Sequence, residues 1–97
     1  MKDEKETDEI SAEELLMEFP CEFPIKMMGR EAPEFHALVR QLVEKHTGPL
    51  SDEAFQSAQS RNGRFVSITA TVTAESREQL DAIYGDLTAH DDVLMAL

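Results

Sequence analysis

Ninety-seven residues with 41% hydrophobic content suit one small domain with a single core. The net charge of −11 and the single cysteine, Cys21, count against a nucleic-acid partner and exclude an internal disulfide. No run approaches the roughly 18 apolar residues of a membrane helix, and the charged start Met1-Lys2-Asp3-Glu4-Lys5-Glu6 has no apolar stretch behind it, so neither membrane nor secretion signal is expected. The expected compartment is the cytoplasm.

Charge is unevenly spread. Residues 1–18 hold eight acids and two lysines, a net of −6. Residues 1–14 therefore read as an acidic flexible tail, with docking to a basic partner as its functional alternative. Residues 15–97 read as one domain. Ser11-Ala12-Glu13-Glu14 has the capping-box pattern ahead of Leu15, Leu16, Met17 and Phe19, so a helical turn ended by Pro20 is expected.

Phe23, Ile25 and Met27 alternate with Pro24, Lys26 and Met28, a first strand stopped at Gly29. Pro33 then suits a first helical turn. Phe35, Leu38, Val39, Leu42 and Val43 recur at helical spacing until Thr47-Gly48-Pro49 ends the helix. After a polar loop, residues 54–60 form a weak strand. Asn62-Gly63 signals a type I′ hairpin turn. Val66, Ile68, Ala70 and Val72 alternate with Ser67, Thr69, Thr71 and Thr73, a strand with one apolar face. Ser76 and Gln79 cap a second helix whose stripe is Leu80, Ile83, Tyr84 and Leu87. Residues 93–97 close the chain as a short strand.

Two amphipathic helices and one-faced strands in this order predict an α+β, ferredoxin-like βαββαβ fold. Right-handed crossovers put the first and third strands at the centre of a four-stranded antiparallel sheet, with both helices on one face. The expected core is Phe23, Ile25, Met27, Phe35, Leu38, Val39, Leu42, Val66, Ile68, Ala70, Val72, Leu80, Ile83, Leu87 and Val93. Lys26, Ser67, Thr69 and Thr71 would line the other face, open to solvent or to a partner. Met27 reads as core; Met28 is compatible with core or with an adaptable binding surface.

No catalytic constellation emerges. His36, His46, His90 and Cys21 lack metal-ligand spacing, Cys21 lacks a neighbouring histidine, and no phosphate-binding glycine motif is present. Neither metal nor other cofactor is expected. One candidate ligand site has a physical rationale: Gly29 would let the chain turn, the following helix N-terminus favours anions, and Arg30 adds a cation. Every strand-to-helix connection needs such a turn, so a purely structural role stands beside it.

Glu18-Phe19-Pro20, Phe23, Lys26-Met27-Met28-Gly29, Ser60-x-x-Gly63-x-Phe65-x-Ser67-Ile68-Thr69-x-Thr71 and Leu94-Met95-Ala96-Leu97 together resemble the YbeD-like family of small bacterial proteins. The resemblance runs through residues 15–97. It departs at Phe65, commonly tyrosine in the family, and at Ala96, usually a larger aliphatic. The resemblance implies a ferredoxin-like fold similar to ACT regulatory domains and no established activity. The leading expectation is a non-catalytic regulatory module that binds a protein through its open face or its edge strands, with a homodimer compatible. The alternative is an ACT-like sensor taking a small carboxylate at Gly29 and Arg30, although the acid-Pro-Gly signature common in those modules is missing.

Overall fold

Ten residues, Cys21–Arg30, alternate in burial and form strand β1. In the computed structural model, which describes residues 18–97, β1 lies antiparallel to β3 (Phe65–Ala74), from Cys21 opposite Ala74 to Arg30 opposite Phe65. The expected tail, residues 1–14, and most of the capped turn before Pro20 lie outside the described residues. Helix α1 spans Pro33–Thr47, β2 Phe55–Gln59, α2 Arg77–Ala89 and β4 Met95–Ala96. The strand order is β2-β3-β1-β4, so the first and third strands are central as expected, and the βαββαβ arrangement is ferredoxin-like.

Pleating sends Ile25 and Met27 of β1 and Val66, Ile68, Ala70, Val72 and Ala74 of β3 to one side. There they meet Phe35, Val39 and Val43 of α1 and Leu80, Ile83 and Leu87 of α2, with Val93 closing one end. Phe23, Leu38 and Leu42, expected in this core, are only partly buried at its margin. Val43 and Ala74 take their place. A helix stripe is broad enough to be laid down on 35/39/43 or on 38/42, and the sheet selects the first.

Gly29 does not stop β1. It stays in the ladder opposite Val66, and the chain leaves the sheet only after Arg30. A Cβ on Gly29 would stand 2.5 Å from the Phe35 ring and 2.7 Å from the Asp92 carbonyl oxygen, so close packing, not a turn, requires glycine there. The hairpin also differs from the expected two-residue turn. Within the hairpin loop only Gly63 has positive φ, at 77°, and its N–H bonds to the Ser60 carbonyl at 2.9 Å. Asn62 instead accepts hydrogen bonds at its Oδ1 from Ser60 Oγ and the Arg64 N–H, each 3.1 Å, so it shapes the loop with its side chain.

Side-chain hydrogen bonds fix the helices at their ends. Ser76 Oγ accepts the Gln79 N–H at 3.1 Å, while Gln79 Nε2 donates to the His46 carbonyl at 2.9 Å. Gln79 thereby joins the start of α2 to the end of α1. Arg40 holds the loop after α1: it donates to Glu44 at 3.0 Å and Asp52 at 2.8 Å, and its guanidinium covers the Phe55 ring at 4.8 Å.

Asp86 of α2 meets His46 Nε2 at 2.7 Å and Lys45 Nζ at 3.3 Å. The His46 hydrogen bond, then the Lys45 one, holds its carboxyl below the ordinary value of 3.8. A lowered carboxylate value adds stability above the ordinary value, and that stability fades as pH falls through the folded-state value. Asp86→Asn should therefore lower the melting temperature at neutral pH. The gap to the parent should close in acid titrations monitored by circular dichroism; a gap that widens in acid would contradict this.

Candidate functional site

The two helices cover one face of the sheet, and among the described residues no helix covers the other. Antiparallel pairing sets Pro24 opposite Thr71, Lys26 opposite Thr69 and Met28 opposite Ser67. Odd and even positions point to opposite sides, so Lys26, Ser67, Thr69 and Thr71 share the uncovered face, as their alternation predicts. The structure adds three residues that the sequence reading did not group there. Met95 of β4 stands opposite Met28, and Phe65 of β3 stands opposite Arg30. Phe65 and Met95 remain 39% and 49% exposed, well above what core residues show. Phe65 carries the same parity signal as Ser67 on its own strand, whereas Met95 can be placed only once the register of β4 against β1 is known.

The Arg30 guanidinium lies 5.4 Å from the centroid of the Phe65 ring, within cation–π reach. Beside this pair a groove of about 340 Å³ opens between Met28, Ala58, Phe65 and Ser67, with mostly apolar walls. A smaller recess of about 180 Å³ continues along Lys26, Gln56 and Thr69. The face thus runs from a polar threonine-rich end to an apolar end bearing an arginine.

Gly29 and Arg30, paired as a ligand site in the sequence reading, point to opposite sides of the sheet. Gly29 packs beneath Phe35, and Arg30 stacks on Phe65. The recess at the start of α1, about 310 Å³, is lined by Glu34, Asp91 and Asp92 together with Arg30, Ala32, Phe35 and Leu94. Pro33 has no N–H, and the Phe35 and His36 N–H groups bond to the Ala32 carbonyl at 2.9 and 3.4 Å. Three carboxylates and few free donors leave little to hold an anion there.

Each of two histidines sits on a carboxylate where elements join. His36 Nε2 lies 3.0 Å from Glu31 Oε1, and His46 Nε2 lies 2.7 Å from Asp86 Oδ2. The His36 hydrogen bond leads the lowering of the Glu31 value. Among the described residues, no three His, Cys, Asp or Glu side chains gather into a metal-binding group. No described helix is long and apolar enough to cross a membrane.

A family model described as "Protein of unknown function (DUF493)" matches residues 14–97. The chain belongs to this family. The YbeD-like resemblance carried by the hairpin and strand motifs is to the same group. A DUF493-type relative, the UPF0250 protein of Chromobacterium violaceum, is 45% identical over 82 residues, covering 84% of this chain and 92% of its own. The UPF0250 protein NE1487 of Nitrosomonas europaea is 41% identical, over 88% and 98% of the two chains. The solution structure of protein HP0495 from H. pylori superposes with a TM-score of 0.66 at 17% identity, over 84% and 85% of the two chains. That likeness shows a shared fold and carries no information about activity.

Proposed function

We propose that this chain is a non-catalytic interaction module that binds a partner protein through the uncovered face of its sheet. The observation behind this reading is the apolar and cationic end of that face, where Met28, Met95 and Phe65 lie beside Arg30. Methionine, phenylalanine and arginine are enriched at protein interfaces, and methionine adapts its shape to a partner. A regulatory role would follow from the same surface, since a bound partner could be held or released without chemistry on this chain.

Partner capture from the source bacterium tests the reading. The parent and a Phe65→Ser/Met95→Ser variant are compared after circular dichroism has established that both are folded. A protein retained by the parent and lost by the variant is expected. Retention that ignores these residues would defeat the face as a docking site. A carboxylate sensor at the α1 N-terminus is less supported, because Glu34, Asp91 and Asp92 rim it. Melting temperatures that do not move with added amino acids and other carboxylates are the expected result there.

A further inference from the structure

The sign of the partner's charge follows from how the basic residues are used. The seven lysines and arginines in residues 18–97 fall into two groups. Arg40, Lys45 and Arg77, all on the helices, pair with Glu44 and Asp52, with Asp86, and with Asp81 respectively. Among the described residues, Lys26, Arg30, Arg61 and Arg64 have no ion-pair partner. Lys26 and Arg30 stand on the uncovered face of β1, and Arg61 and Arg64 lie in the hairpin loop beside Phe65. Glu22 is the single acid at an outward position of the four strands. Among the described residues of a protein with a net charge of −11, the lysines and arginines without an ion-pair partner thus lie on and beside one face.

We infer that this face takes an acidic amphipathic segment of a partner protein, with glutamate or aspartate facing Lys26 and Arg30 and an apolar side chain between them over Met28. The inference rests on the reading of the sheet face as a docking surface. Lys26, Met28 and Arg30 follow each other at every second residue of one strand, so the two cations are about 13 Å apart along it with the thioether between. An extended segment carrying acid, apolar and acid at the same spacing matches that line. The groove of about 340 Å³ beside Met28 and Phe65 has room for one aliphatic or aromatic side chain. The chain's overall negative charge does not forbid such a partner: exposed charges are screened over about 8 Å at physiological salt, so bound carboxylates respond to the face beneath them.

The test uses the full chain and a fluorescein-labelled peptide repeating Glu-Ser-Leu-Ser-Glu, followed by fluorescence anisotropy. Saturable binding is expected, weakening as salt rises, while Lys-Ser-Leu-Ser-Lys and Glu-Ser-Ser-Ser-Glu peptides fail to bind. Lys26→Glu/Arg30→Glu should weaken binding about tenfold or more, as expected for two lost and reversed charge contacts. Met28→Ser/Phe65→Ser should weaken it as well. Circular dichroism establishes that both variants are folded. Equal binding of the lysine peptide, or loss with the Met28/Phe65 variant but not with charge reversal, overturns the acidic partner and leaves the docking face standing. Indifference to both variants, or no saturable binding at all, overturns the inference; the capture experiment decides the face separately. Tighter peptide binding in the full chain carrying Glu13→Gln and Glu14→Gln would assign the face to the chain's own acidic segment and overturn a separate partner.

Discussion

Gly29→Ala should be among the most damaging single changes to this protein, although it adds only one methyl group. The new Cβ would meet two ring carbons of Phe35 at 2.5 Å and the Asp92 carbonyl oxygen at 2.7 Å. Neither neighbour can retreat easily. Phe35 is buried in the core, and Asp92 belongs to a connection pinned on both sides, by Val93 N–H on the His90 carbonyl at 3.1 Å and Leu94 N–H on the Met28 carbonyl at 2.8 Å. Overpacking typically costs about 1–3 kcal/mol, and a backbone obstacle puts this site near the upper end. Against a whole-domain stability of roughly 5–15 kcal/mol, about 3 kcal/mol is a large fraction. For a domain of this size it corresponds to a melting temperature lower by about 15 °C. Gly85 supplies the control. No atom lies within 4 Å of its added Cβ, and it sits inside α2, so Gly85→Ala should stabilise by up to about 1 kcal/mol. Thermal melts of the two variants should move in opposite directions; a Gly29→Ala protein that melts with the parent would refute the packing argument. Combining Gly29→Ala with Phe35→Leu should recover part of the loss, because the two changes act on one contact.

Features set by local periodicity were legible in the sequence. The alternation of Val66, Ile68, Ala70 and Val72 with serine and threonines fixed both β3 and the face it buries, and helical spacing fixed α1 and α2. Once these were ordered, the handedness of crossovers placed β1 and β3 in the middle. Features that depend on distant neighbours were not legible. Glycine at position 29 looks like a chain turn when only its sequence neighbours are considered, because Phe35 and Asp92 approach it through the fold. Asn62-Gly63 has the composition of a two-residue turn, but Ser60 and Asn62 side chains supply hydrogen bonds that support a wider loop. The face residues divide in the same way. Lys26, Ser67, Thr69 and Thr71 could be placed from parity within their own strands. Arg30 and Phe65 share the parity of Lys26 and Ser67 on their own strands, and only Met95 needed the register of β4 against β1. Arg30 also stands close before the start of α1, and a helix N-terminus favours anions, so its sequence neighbours suggest a ligand site that the sheet geometry does not build.

Ile83→Ala should destabilise the domain by about 3–4 kcal/mol, within the range measured for removing large aliphatics from packed cores. Ile83 is fully buried at the centre of the α2 stripe, between Leu80 and Leu87, where α2 presses on the sheet. The loss combines the transfer of the removed carbons with the cavity they leave, and two layers of regular structure can collapse into that cavity only partly. Leu38→Ala on α1 removes a comparable side chain from a partly buried position. It should cost markedly less, about 1–2 kcal/mol, because solvent and flexible neighbours relieve the cavity. Chemical denaturation of both variants measures the difference; equal losses would mean that the 38/42 stripe of α1, not 35/39/43, faces the sheet. The same variant separates stability from binding. Ile83 lies on the helix side of the sheet, away from the face proposed for docking, so Ile83→Ala should lower the denaturation midpoint while peptide affinity at a temperature where it is folded stays with the parent. Lys26→Glu/Arg30→Glu should do the reverse, weakening binding with little change in the midpoint. That pair of results would separate two properties on two faces of one sheet, the inner side holding the fold and the outer side carrying the proposed docking.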